Sequence, residues 1–172
     1  IYLLFCHVFS TNFSMRIIIA GAGEVGTHLA KMLSNENHEI ILIDPEEDRL
    51  KPVNNSLDVL THEGSATSIK TLQDSLIKKT DLFIAVTPSE DTNIISSILA
   101  KRFGAIRTIA RIDNIDYLEQ STLEFFRSIG IAQIALDGFS QLFSQFNWAW
   151  LATIFTYSES TPFLSALTGS RS

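Results

Sequence analysis

Three glycines and one aspartate carry the chemistry within reach of this chain. Gly21, Gly23 and Gly26 stand in G-x-G-x-x-G spacing directly after the apolar run Ile17-Ile18-Ile19-Ala20, and Asp44 closes a second apolar run, Ile40 to Ile43, 18 residues after Gly26. In that arrangement the first glycine allows a tight turn, the second lets backbone approach a pyrophosphate, and the third lets a helix pack closely on its strand. Phosphate oxygens then meet the unpaired N–H groups and the positive dipole end of a helix, so the candidate anion site is Gly21, Ala22, Gly23, Glu24, Val25 and Gly26. A carboxylate at the end of the second strand accepts hydrogen bonds from both ribose hydroxyls and repels a 2′-phosphate, which favours NAD over NADP. Asp44-Pro45-Glu46-Glu47 also has the form of a helix start, so a capping role for Asp44 stays open.

Those residues need strands and helices to hold them. Apolar runs predict strands near Arg16–Ala20, Glu39–Ile43, Asp58–Thr61, Leu82–Thr87 and Thr108–Arg111. Helical spacing predicts helices near Gly23–Ser34, Pro45–Lys51, Ser68–Ile77, Thr92–Phe103 and Asp116–Ile129. Strict alternation with near-continuous Ile/Leu/Val strands indicates an α/β, Rossmann-like, doubly wound parallel sheet with helices on both faces. Ligands of such sheets bind at the strand C-termini, so each strand end is a candidate. The third is followed by Gly64 and Ser65, with Ser65 or Thr67 in reach of a base or ribose unless they only make a turn and cap. The fourth leads into Thr87, Pro88 and Ser89, where a hydroxyl can face ligand or cap the next helix. The fifth ends on Arg111, which can clamp a phosphate or pair with Asp113 or Asp44.

Composition divides the chain. All charged side chains but Asp137, Glu159 and Arg171 lie in residues 15–130. Residues 1–14, apolar and uncharged before Met15-Arg16, read as a non-native leader; residues 137–172, rich in Phe and Ser and holding Trp148 and Trp150, read as an atypical tail, disordered or from an altered reading frame. Neither end has an apolar run of the ~20 residues a membrane helix requires. Cys6 is the only cysteine, which excludes a disulfide framework or a cysteine-based metal site. A net charge of −6 without basic runs argues against nucleic-acid partners. His7, His28, His38 and His62 show no metal spacing, and no nucleophile elbow or catalytic pair is visible, so the chain is not expected to be an enzyme.

Five segments in register resemble one family: Ile-Ile-Ala-Gly-Ala-Gly-Glu-Val-Gly, Leu-Ile-Asp-Pro-Glu-Glu-Asp-Arg-Leu, Glu-Gly-Ser-Ala-Thr, Asp-Leu-Phe-Ile-Ala-Val-Thr-Pro-Ser-Glu-Asp-Thr-Asn and Thr-Ile-Ala-Arg-Ile-Asp-Asn. Together they resemble the N-terminal lobe of the domains that regulate potassium conductance, of the TrkA type found in bacterial Trk potassium uptake systems. The resemblance implies that residues 15–136 are an NAD-binding lobe of a cytoplasmic regulatory subunit, peripheral to the inner face of the plasma membrane. It implies NAD or NADH as ligand, with ATP or ADP in some relatives, a membrane potassium-translocating partner, and a homo-oligomer when full-length. Carried over, the phosphates fall to Gly21–Val25, the ribose to Asp44, the adenosine side to Ser65, the far end of the crevice to Thr87 and Pro88, and a phosphate to Arg111. Full-length relatives repeat the lobe and add a subdomain after each copy, whereas the match here dissolves after Gly130, as in a fragment. Leu76 and Thr80 stand where relatives often carry Gly and Ala. The stripe Ile94, Ile95, Ile98 and Leu99 suits a lobe interface or the core. The alternative reading is the cofactor-binding domain of an NAD-dependent oxidoreductase.

Overall fold

A computed structural model of the chain describes residues 14–131 and 133–135, and the expectations for residues 1–13 and 137–172 lie outside the described residues. Among the described residues six strands form one parallel sheet: β1 Arg16–Ala20, β2 Glu39–Asp44, β3 Leu60–Glu63, β4 Leu82–Ala85, β5 Arg107–Arg111 and β6 Gln133–Ala135. Their order is β3-β2-β1-β4-β5-β6. The helices are α1 Glu24–Ser34, α2 Glu47–Ser56, α3 Ile69–Asp74, α4 Glu90–Phe103 and α5 Gln120–Ser128, with 3-10 turns at Ile77–Lys79 and Ile115–Leu118.

Alternate residues of a strand face opposite sides of the sheet, and at β1 both sides are dry. Ile17 and Ile19 are as fully buried as Ile18 and Ala20. One face packs Ile18, Ala20, Ile41, Ile43, Phe83 and Ala85 against Leu72, Ile77 and Ala100 from the α3 to α4 region. Because crossovers are right-handed, β1 to β3 run outward with α1 and α2 on the other face, and β4 to β6 run the opposite way. The direction changes between β1 and β4, and in such sheets ligands bind at the strand C-termini beside that point. Each of these fully buried aliphatic side chains contributes roughly 1.5–3 kcal/mol.

The opposite end of the sheet is tied down. Glu39 N–H donates to Met15 O at 2.9 Å, Asp81 N–H to Arg16 O at 2.9 Å, and Arg107 N–H to Asp81 O at 3.1 Å. The Asp81 carboxylate accepts from Arg16 N–H at 2.8 Å, and the Arg16 guanidinium meets Glu39 at 2.7 Å.

Several element boundaries differ from the sequence expectation, each for a local reason. β3 is shifted to Leu60–Glu63 because its register is set by β2, with Ile41 opposite Leu60 and Asp44 opposite Glu63. α2 begins at Glu47 instead of Pro45 and continues past Pro52 to Ser56. Pro52 is exposed while Leu50 and Val53 are buried, so packing on the inner side carries the helix through a residue that removes one bond on the outer side. α3 stops at Asp74 because Leu76 adopts a left-handed conformation, φ 59°, which no helix continues through. The last helix is a 3-10 turn followed by α5, and the first residues of the expected span belong to that turn. β6 follows Gly130 and pairs parallel with β5, placing Ala135 opposite Arg111. Of the interface stripe, Ile94, Ile98 and Leu99 pack against core clusters and Ile95 is exposed.

Candidate functional site

At the crevice, Ala20 of β1 lies level with Ile43 of β2 and Ala85 of β4, and Ala85 with Ala110 of β5. The chain leaves β1 through Gly21, whose φ of +109° disfavours any residue with a side chain, and whose N–H donates to Ile43 O at 2.8 Å.

The three glycines of the motif have three separable reasons. A Cβ on Gly21 would press on the Thr87 backbone at 3.0 Å, so the turn lies directly against the loop after β4. A Cβ on Gly26 would stand 1.7 Å from Gly21 O, so only glycine lets α1 sit on the turn. Gly23 has an extended backbone, φ −72° and ψ −171°, and a Cβ there would meet nothing within 4 Å. Neither its backbone nor any neighbour among the described residues requires glycine. The space above it is where a group from outside would approach. Gly23 is also the N-cap of α1, with no side chain capping the helix, so the first N–H groups of α1 face the same space.

Asp44 is 3% exposed and both its oxygens are engaged. Oδ2 accepts from Ala22 N–H at 2.7 Å and Oδ1 from Glu46 N–H at 2.9 Å. Its carbonyl accepts from Gly64 N–H at 3.0 Å, so one residue pins the ends of three strands together. It does not cap α2, whose N-cap is Glu46. The bond to Glu46 two residues on makes an Asx turn instead. Each carboxylate oxygen keeps a second lone pair, the capacity a ribose hydroxyl needs.

The other candidates gather on the same side. Ser65 and Thr67 share a hydroxyl hydrogen bond of 2.8 Å at the surface, while the cap of α3 is Ser68. Ser89 caps α4 by accepting from Thr92 N–H at 3.2 Å, and Pro88 is exposed beside it. Arg111 forms a two-pronged pair with Asp113 at 3.1 and 3.2 Å. Glu24 is exposed and Val25 half-buried on the first turn of α1.

Two residues were not singled out from the sequence. Asn93 is 1% exposed: its Oδ1 accepts from Thr87 N–H at 2.8 Å, and its Nδ2 donates to Thr87 O at 3.0 Å and Arg111 O at 2.9 Å. Glu90 Oε2 accepts from Asp113 N–H at 2.7 Å and Asn114 N–H at 2.9 Å. The signal was available, since Asn93 closes the polar run Thr87–Asn93 at a helical position that otherwise faces the core. Beside the glycine turn, a groove of about 570 Å³ between α1 and α2 is floored by Ala22 and Gly23 and walled by Thr27, His28, Lys31 and Arg49. Among the described residues no group of His, Cys, Asp and Glu could hold a metal, and no helix is long and apolar enough to cross a membrane.

Comparison with known proteins bears on the family and the fold. The Trk system potassium uptake protein TrkA homolog of Archaeoglobus fulgidus is 42% identical over 106 residues, 62% of this chain and 24% of that protein. The curated relatives are longer throughout, and the chain spans between about a quarter and about half of their length, 24% and 53% in two cases. The crystal structure of the TrkA-N domain of inner membrane protein ybaL from Escherichia coli superposes with a TM-score of 0.63 at 16% identity, over 77% of this chain and 94% of that one. The GsuK channel bound to NAD superposes at 0.59 and 16% identity, over 74% of this chain and 22% of that one. At such identities the two structures speak for the fold. The TrkA-N domain model matches residues 17–136, so the match runs through β6 instead of dissolving after Gly130, and the chain belongs to the TrkA-N domain family.

Proposed function

We propose that the chain is the nucleotide-sensing lobe of a cytoplasmic regulatory subunit of a Trk-type potassium uptake system. It binds NAD or NADH, or ATP or ADP, across the strand ends and gates a membrane potassium-translocating partner from the inner face of the plasma membrane. The observation that carries the reading is Gly23, a glycine that the fold does not need, over a free helix N-terminus. The resident chemistry is binding only: the pyrophosphate lies over Gly21–Gly26, a ribose beside Asp44, the adenosine side near Ser65, and the second half along Thr87, Pro88 and Arg111. To meet a phosphate, Arg111 exchanges part of its pairing with Asp113. Ligand regulates a partner only through its different affinity for two arrangements of paired lobes, which requires a homo-oligomer.

Calorimetric titration with NAD, NADH, ATP and ADP tests the reading, with Gly23→Ala as control. Saturable binding that weakens in the variant supports it. A folded chain that binds none of the four overturns it, and oxidation of NADH with a substrate would support the oxidoreductase alternative.

A further inference from the structure

Asn93 makes a pattern of bonds that capping does not explain, since α4 is already capped by Ser89. Its amide addresses Thr87 from both sides, taking the N–H and giving to the carbonyl, as a neighbouring strand would. It also accepts at 2.8 Å from the Thr87 hydroxyl. Its remaining donor reaches Arg111 O at the end of β5. One turn earlier on the same helix, Glu90 holds the two backbone N–H groups that follow Ile112. The first turn of α4 therefore fixes the loops after β4 and β5 as one rim, while Asp44 holds the glycine turn and the ends of β1 to β3; the two sets of bonds share no residue, and the backbones meet where Gly21 lies against Thr87.

We propose that Asn93 is a positioning residue that sets nucleotide specificity. It holds the Thr87–Arg111 rim at the height needed to seat the second half of a dinucleotide, and has no part in holding the adenosine half. This rests on the nucleotide-binding reading above. An extended ligand laid along the strand ends from β3 to β5 passes Asp44, then the glycine turn, then Thr87 and Arg111, in the order of the sheet. AMP occupies only the first part of that path, so AMP and NAD report the two units separately.

The test is calorimetric titration of the 172-residue chain and of Asn93→Asp with AMP and with NAD, with folding followed by circular dichroism. The aspartate keeps the shape and the acceptor for Thr87 N–H but turns an oxygen toward Thr87 O and Arg111 O. The expected result is NAD affinity lowered by about tenfold or more with AMP affinity unchanged within about twofold, the loss of one hydrogen bond to ligand-seating geometry. Equal losses for both ligands in a folded variant, or no loss for either, overturn the proposal. If Asn93→Asp does not fold, Glu90→Ala loosens only the β5 side of the rim, and the same selective loss of NAD is required of it. Wild-type protein that binds neither ligand overturns the nucleotide reading itself, an outcome distinct from a selective or uniform effect in the variants.

Discussion

Asp44 Oδ2 accepts a 2.7 Å hydrogen bond from the backbone N–H of Ala22, so the acidic residue of the motif anchors the glycine turn before any ligand arrives. An asparagine there can accept only one of the two N–H groups now satisfied, and its NH2 faces the other. Asp44→Asn should therefore lower stability by about 1–3 kcal/mol, the cost of one buried unsatisfied donor. Urea unfolding measures it, and an unchanged midpoint with an unchanged slope would contradict the anchoring role. For the same reason Asp44→Ala is a poor control for ligand binding, since it disturbs the glycine turn itself.

Gly23 and Gly26 should separate binding from folding. Gly23→Ala puts a methyl group into open space and costs at most about 1 kcal/mol at the helix start, but should weaken NAD by roughly tenfold or more through contact with the pyrophosphate. Gly26→Ala drives a methyl group into the Gly21 carbonyl and should cost about 3 kcal/mol or more. Thermal melts beside titrations of both variants decide it; a Gly23→Ala chain that binds NAD normally removes the main support for the nucleotide site.

Leu76 is 45% exposed and held at φ 59°, where a side chain costs about 1–2 kcal/mol and glycine none. After the extra chain entropy of glycine, Leu76→Gly should stabilise by roughly 0.5–1 kcal/mol. A melting temperature that falls in the variant would show that Leu76 contributes packing its exposure does not suggest.

His38 gives the fold a pH dependence. Its Nδ1 accepts from Met15 N–H at 3.3 Å, and burial lowers its pKa below the usual value of 6.5, with the Glu36 charge opposing. The folded state therefore favours the neutral ring, and the unfolded chain binds a proton first as pH falls. The contribution is fully present above about pH 6.5 and is lost as pH drops through the lowered folded value. Unfolding free energies measured between pH 7.5 and pH 5 should fall less steeply in His38→Gln than in the wild type, and identical slopes would exclude His38 as the source.

The parallel sheet was legible because its strands are apolar on both faces, as at Ile17–Ile18–Ile19, and glycine spacing marked the first turn. Ends of elements were less legible. Pro52 reads locally as a helix stop, yet Leu50 and Val53 bury the inner face and carry α2 onward. β6 was not predicted because its three residues take their pairing from β5. At the site, Gly21, Gly26 and Asp44 could be placed from spacing alone, whereas Asn93 and Glu90 could not. Asn93 reaches Thr87 within its own loop, but Arg111, Asp113 and Asn114 meet them only when β4 and β5 lie side by side, and no periodicity encodes that contact.

The cross-strand ties at Met15, Arg16, Glu39, Asp81 and Arg107 give the sheet a fixed heel. If a nucleotide binds at the strand ends as proposed, the groups it touches lie toward Gly21 and Thr87, the end of the sheet farthest from Glu39 and Asp81. On that reading a partner that senses the nucleotide would do so at the Gly21 and Thr87 end. Amide exchange checks it: the amides of Glu39, Asp81 and Arg107 should exchange at the same slow rate with and without nucleotide, while those beyond Ala20 and Ala85 slow on binding.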